Sequence, residues 1–152
     1  AEMRFEDAIG LFLTILADLG CRFPRYRIVG RLEALVSLRR TVSMVKQTPV
    51  EMLESLPVMT NSSKLVSAAL MSRLGLCAWF GGKRSFYLLI LTITKMVQMT
   101  LSNGLFESSA ISFAGLGHVS LFVMGDVDTA YHIGERALQI QERCESEAGK
   151  AT

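Results

Sequence analysis

All three prolines of this chain, Pro24, Pro49 and Pro57, fall in its first 57 residues, so residues 58–152 run without the strongest helix breaker. That long stretch is rich in Leu, Met, Ala, Lys, Arg and Glu and shows no strict alternation of apolar and polar residues. Gly or Asn interrupts it every fifteen to twenty residues or so. Long helices joined by tight turns satisfy these constraints; a sheet does not.

Helical spacing and stop signals then predict the elements. A first helix spans about Arg4 to Leu19, with Phe5, Ile9, Phe12, Leu13 and Leu16 as one apolar stripe and Gly20 closing it. A second spans about Tyr26 to Lys46, with Ile28, Leu32, Leu35, Val36 and Val42 spaced as a core-facing stripe and a basic opposite face. Thr48, Pro49 and Glu51 read as N-cap, first helical residue and capping-box partner of a short third helix ending before Pro57. Asn61 caps a fourth that carries Leu65, Ala68, Ala69, Met71 and Leu76 to Trp79 and Phe80, stopped by Gly81 and Gly82. A fifth runs from about Lys83 to Asn103. A sixth, from about Glu107 to Met124, is full of small residues that admit a close neighbour, and Gly125 with Asp126 makes the next turn. The last spans Val127 to about Glu145, and the tail from Ser146, residues 148–152 above all, is expected to be disordered.

Composition narrows the class. Half the residues are apolar and 20% are charged, so something beyond this chain is expected to cover part of its surface. A net charge of +2 makes neither nucleic acid nor an anionic membrane an obligatory partner. Cys21, Cys77 and Cys144 are odd in number and widely spaced, which fits a reducing cytoplasm and neither a disulfide framework nor a zinc knuckle. Residues 1–7 lack the pattern of a signal peptide, and the start at Ala1 suits a domain cut from a longer protein. From Ser85 to Gly125 only Lys95 and Glu107 are charged, so a membrane-associated protein using residues 86–124 is the alternative reading. Its apolar pieces are shorter than the ~20 residues of a spanning helix.

Catalytic signals are weak. Gly81, Gly82, Lys83, Arg84 and Ser85 resemble the end of a phosphate loop, but the first Gly is missing, Arg separates Lys from Ser, and no strand precedes them. His118 and His132 have no ligand set around them; Asp128, four residues before His132, makes at most a helix-surface pair. Seven bases between Arg22 and Lys46, opposed by Glu33 alone, spread over more than half a helix circumference and read as a solvated face. No catalytic residue, cofactor site or metal site is expected. Trp79, Phe80, Phe86 and Tyr87 bracket the Gly81–Gly82 turn and are the candidate partner contacts, since aromatics dominate binding hot spots; packing at the mouth of a helix pair is their competing fate.

The run Gly125, Asp126, Val127, Asp128, Thr129, Ala130, followed by Ala137 and Leu138, resembles the second helix of a tetratricopeptide repeat. The first-helix positions that should precede it hold Ala114, Gly117 and His118, so the expected array is degenerate. More broadly, Leu19–Gly20 with Pro24, the basic helix, the segment Leu56–Thr60 and the apolar helices up to Gly125–Asp126 are similar to the helical region that follows the AAA-type ATPase module in large signalling proteins joined to a serine/threonine or histidine kinase. That family commonly has Asp where Asn61 stands. The resemblance implies an all-α array of six or seven helices in antiparallel pairs, forming one tetratricopeptide-like domain over residues 1–147. It also implies a non-catalytic regulatory role through protein contacts with flanking domains or a signalling partner, any ATP being bound elsewhere in the parent protein.

Overall fold

The computed structural model describes residues 2–152, with side chains from Arg4 onward, and contains seven α-helices among them: α1 (Glu2–Asp18), α2 (Arg27–Gln47), α3 (Val50–Glu54), α4 (Ser62–Phe80), α5 (Phe86–Asn103), α6 (Ser109–Met124) and α7 (Val127–Lys150). The all-α array expected from the sequence is what the chain forms. Asn61 caps α4 by accepting from the Lys64 amide at 3.1 Å, and Asp126 caps α7 by accepting from the Thr129 amide at 2.9 Å. Gly125 takes the left-handed conformation that ends α6, with φ of 66°.

Helix α5 is the axis of the fold. It lies against α2, α4 and α6, while α1 lies on α4 and α7 on α6. Consecutive helices from α4 onward pair antiparallel: Gly75 meets Thr92, Gly115 meets Ile93, and Gly117 meets Ala130 and Ile133. The pairing of α2 with α5 is different. Gly30 faces Tyr87, Ser37 donates to Thr94 at 2.8 Å, and Gln98 donates to Thr41 at 2.7 Å. The sequence offset is 57 in each case (87 − 30 for the first), so these two helices run parallel and in register. Two cores result, one on either side of α5. Leu38, Val45, Phe113, Leu116, Ile133 and Ile140 fill the core beneath α2 and α7, and Leu16, Met71, Leu74 and Ala78 fill that beneath α1 and α4. A two-residue bridge joins the link before α4 to the turn after α5: Leu105 donates to Pro57 and Met59 donates to Leu105, both at 2.8 Å.

Four expectations are corrected. The stripe Ile28, Leu32, Leu35 and Val36 does not enter the core; Ile28 is 76% exposed and Leu32 62%. Helix α2 instead buries Gly30, Ala34, Leu38, Thr41 and Val45 with Val42, because small residues let it lie close against α5. Thr48 forms no capping box. It ends α2, its hydroxyl donating to the Met44 carbonyl at 2.7 Å, and Pro49 occupies the N-cap of α3. The expected disordered tail is helical to Lys150, since Glu147 pairs with both Arg143 and Lys150 across the last turns. Helix α5 also starts later than predicted. Gly82–Arg84 forms a 3-10 turn that the Ser85 amide closes on the Gly82 carbonyl at 3.1 Å.

Candidate protein-contact surface

On the side of α5 opposite α2, the side chains of α4 and α6 close over the helix, so that Thr92 is 0% exposed and Leu89 and Met96 are buried. Leu89, Thr92, Ile93 and Met96 form the floor of a groove of about 610 Å³, walled by Leu76 and Trp79 of α4 and by Ile111 and His118 of α6. Glycines set its shape: a Cβ on Gly75 would lie 3.1 Å from the Thr92 hydroxyl, and one on Gly115 would lie 3.1 Å from the Ile93 side chain. Both walls therefore approach the floor closely and leave an open channel between them. A second groove, about 500 Å³, lies between α6 and α7 over Gly117, Ala130 and Gly134. Ile111, Ala114 and His118 border both, so α6 is a ridge with an apolar trough on each flank. No Asp, Glu, Lys or Arg lines either groove.

Large apolar side chains crown this face. Trp79 is 51% exposed, Ile111 71% and Phe122 74%, with Leu76 and Leu138 also exposed. His118 sits between two rings, its centroid 6.0 Å from that of Trp79 and 5.5 Å from that of Phe122. The same aromatics, with Phe86, line a cleft of about 350 Å³ at the α4–α5 turn, where Lys83 is the charged residue.

Of the four predicted contacts, the structure turns two outward. Trp79 stands at the groove, and Phe80 is exposed while stacking on Phe5 at 6.0 Å. Phe86 is half-buried against both cores, and Tyr87 packs on Gly30, so these two serve packing first. Sequence reasoning missed Leu76, Ile111 and Phe122. The available signal was that α6 is apolar all round, a pattern that requires either complete burial or a face for something else to cover.

Among the described residues no group of three His, Cys, Asp or Glu could hold a metal ion. Cys21, Cys77 and Cys144 are free and half-buried, and burial pushes the Cys144 thiol above its ordinary range, away from the nucleophilic thiolate. The Lys83–Arg84 stretch forms a surface turn in which Arg84 lies 3.9 Å from Glu6. Among the described residues no helix is long and apolar enough to cross a membrane, and the apolar residues of α5 are turned mostly onto α2, α4 and α6.

Fold and surface together define a helical array with an uncharged apolar face left open. Comparison with protein-family models, curated proteins and solved structures finds no match to the chain.

Proposed function

We propose that this chain is a non-catalytic interaction segment that regulates a larger signalling protein by protein contacts, in a cytoplasmic setting, with the ATPase and kinase activities carried elsewhere in the parent. The observation that carries the reading is the α4–α6 groove, open and uncharged, with Trp79 and Ile111 exposed at its rims. Contiguous apolar surface of this kind marks interaction sites in folded proteins. Because Leu89, Thr92 and Met96 beneath it are already buried, a partner seated in this groove would rest on the exposed rims that α4 and α6 provide. The three free cysteines support a reducing compartment, and the resemblance of residues 19–143 to the region following AAA-type ATPase modules supports the setting.

The test is made in the full-length product of the reading frame. Ile111→Asp and Phe122→Asp, both on exposed positions, are expected to change ATP turnover or autophosphorylation several-fold while leaving the helicity of the 152-residue chain intact. A product without an ATPase or kinase, or turnover indifferent to both substitutions, refutes the reading.

A further inference from the structure

The second unpartnered surface lies on the opposite side of α5, along α2. Ile28, Leu32, Leu35, Arg39 and Lys46 follow one another at steps of four, three, four and seven residues, so they share one face of the helix. Val29, Val36 and Arg40 run beside them. The core takes the other face, through Gly30, Ala34, Leu38 and Val45. This exposed face is therefore apolar over its first turns, with Ile28 76%, Leu32 62% and Val36 67% exposed, and cationic over its last.

Little of this charge is compensated: Asp126, in the turn before α7, acts on Lys46. All seven bases between Arg22 and Lys46 are exposed, Glu33 is the one acid among them, and among the described residues none of the seven forms an ion pair. A chain whose net charge is only +2 thus concentrates cationic side chains on one helix and its approach. Six of the seven are Arg, whose planar fork engages a carboxylate through two parallel hydrogen bonds.

We propose that the outer face of α2 docks an acidic amphipathic helix of a protein partner, one that carries apolar residues over about two turns and Asp or Glu over the next two. The proposal rests on the reading that this chain acts through protein contacts, and it adds a second docking surface with a defined partner chemistry. Two other occupants fit less well. The apolar part, residues 28–36, is only about 12 Å long at ~1.5 Å per residue, and Arg39 and Lys46 continue its stripe, so a bilayer lying along the helix would meet charge in line with Leu32. A second copy would bring Arg against Arg in a two-fold pairing of α2. A helix with the opposite charge pattern satisfies both halves of the face.

The experiment uses the intact chain and three probes: a synthetic helical peptide with leucines over its first two turns and glutamates over the next two, the same peptide with lysines in place of the glutamates, and phosphatidylserine-containing vesicles. The glutamate peptide is expected to bind, and its affinity to fall as salt is raised. The Arg39→Glu/Arg40→Glu chain is expected to lose about tenfold or more in that affinity and to gain affinity for the lysine peptide. Leu32→Asp, on an exposed position, is expected to weaken binding of the glutamate peptide, whereas Ile111→Asp leaves it unchanged. Circular dichroism confirms that each variant keeps its helices. Equal binding of the two peptides, no binding of the glutamate peptide, binding of vesicles in its place, or a dimer that Leu32→Asp dissociates would each overturn the proposal. If Ile111→Asp abolishes peptide binding while the α2 variants do not, the α2 site fails and the groove of α4 and α6 stands.

Discussion

Gly104 tests the bridge that closes the lower end of the fold. Its backbone has φ of 105° and ψ of −177°, a region open essentially to glycine alone. A Cβ there would lie 2.3 Å from the Pro57 carbonyl oxygen and 3.3 Å from the Met59 amide nitrogen. That carbonyl and that amide are the two ends of the Leu105 bridge, each bonded at 2.8 Å. Gly104→Ala therefore combines backbone strain of ~1–3 kcal/mol with displacement of the Pro57–Met59 segment and loss of two hydrogen bonds at ~0.5–1.5 kcal/mol each. The expected loss is about 2–6 kcal/mol, or a Tm lower by roughly 4–24 °C at ~2–4 °C per kcal/mol for a chain of this size. Gly134→Ala is the matched control. A Cβ on Gly134 meets nothing within 4 Å, and the residue lies mid-helix in α7, so the same substitution is expected to stabilise by ~0.5–1 kcal/mol. Urea and thermal unfolding followed by circular dichroism measure both. A Gly104→Ala chain within ~0.5 kcal/mol of wild type would refute the reasoning, since the strain alone should exceed that.

Arg136 is 8% exposed, its Nε is buried without a partner, and its one hydrogen bond goes to the neutral Gln139, so Arg136→Met is expected to be neutral or stabilising by ~1–2 kcal/mol; marked destabilisation in urea would show that the guanidinium is needed. Hydrogen bonds from Thr129 hold the Asp126 carboxyl below its ordinary 3.8, and those from Lys150 and Arg143 hold Glu147 below 4.5. Their contribution is therefore present above those values and lost as pH falls through the lowered ones, and an Asp126→Asn/Glu147→Gln chain, which keeps the cap of α7, should lose less stability between pH 5 and about 2 than wild type does. Identical acid limbs in the two chains would contradict this. Trp79, the chain's single tryptophan, should be readily quenched by acrylamide in the free chain; emission like that of a buried indole would mean the α4–α6 groove is closed in solution.

Helix number, the cap at Asn61 and the turn at Gly125 and Asp126 were legible in the sequence because each is set by a local rule acting within a few residues; that Asp126 also caps α7 was not read. The same locality explains the failures. Thr48, Pro49 and Glu51 have the composition of a capping box, but α2 runs on to Gln47 and claims Thr48 for its own last carbonyls. The tail composition after Ser146 suggests fraying, yet Glu147 lies within reach of two cations on α7 and extends the helix. The candidate surface was half legible. Trp79 and Phe80 were marked by their aromaticity, whereas Ile111 could not be told from a core residue on a helix whose every side is apolar.

The stripe on α2 shows why periodicity alone cannot assign a face. Two sets of residues on that helix recur at helical spacing: large aliphatics at 28, 32, 35 and 36, and small or medium residues at 30, 34, 38, 41 and 45. Hydrophobicity favours the first set for the core, and packing selects the second. A parallel neighbour held at an offset of 57 brings the Tyr87 ring onto Gly30 so tightly that a Cβ there would lie 2.5 Å from it. Facing α5 with Leu32 or Val36 would push the two helix axes apart and break the Ser37–Thr94 and Thr41–Gln98 hydrogen bonds that fix the register. The aliphatics are thus on the surface because the interior is taken by residues that fit more closely. A helix that keeps Ile28, Leu32 and Val36 exposed retains apolar surface that only a partner can remove from water.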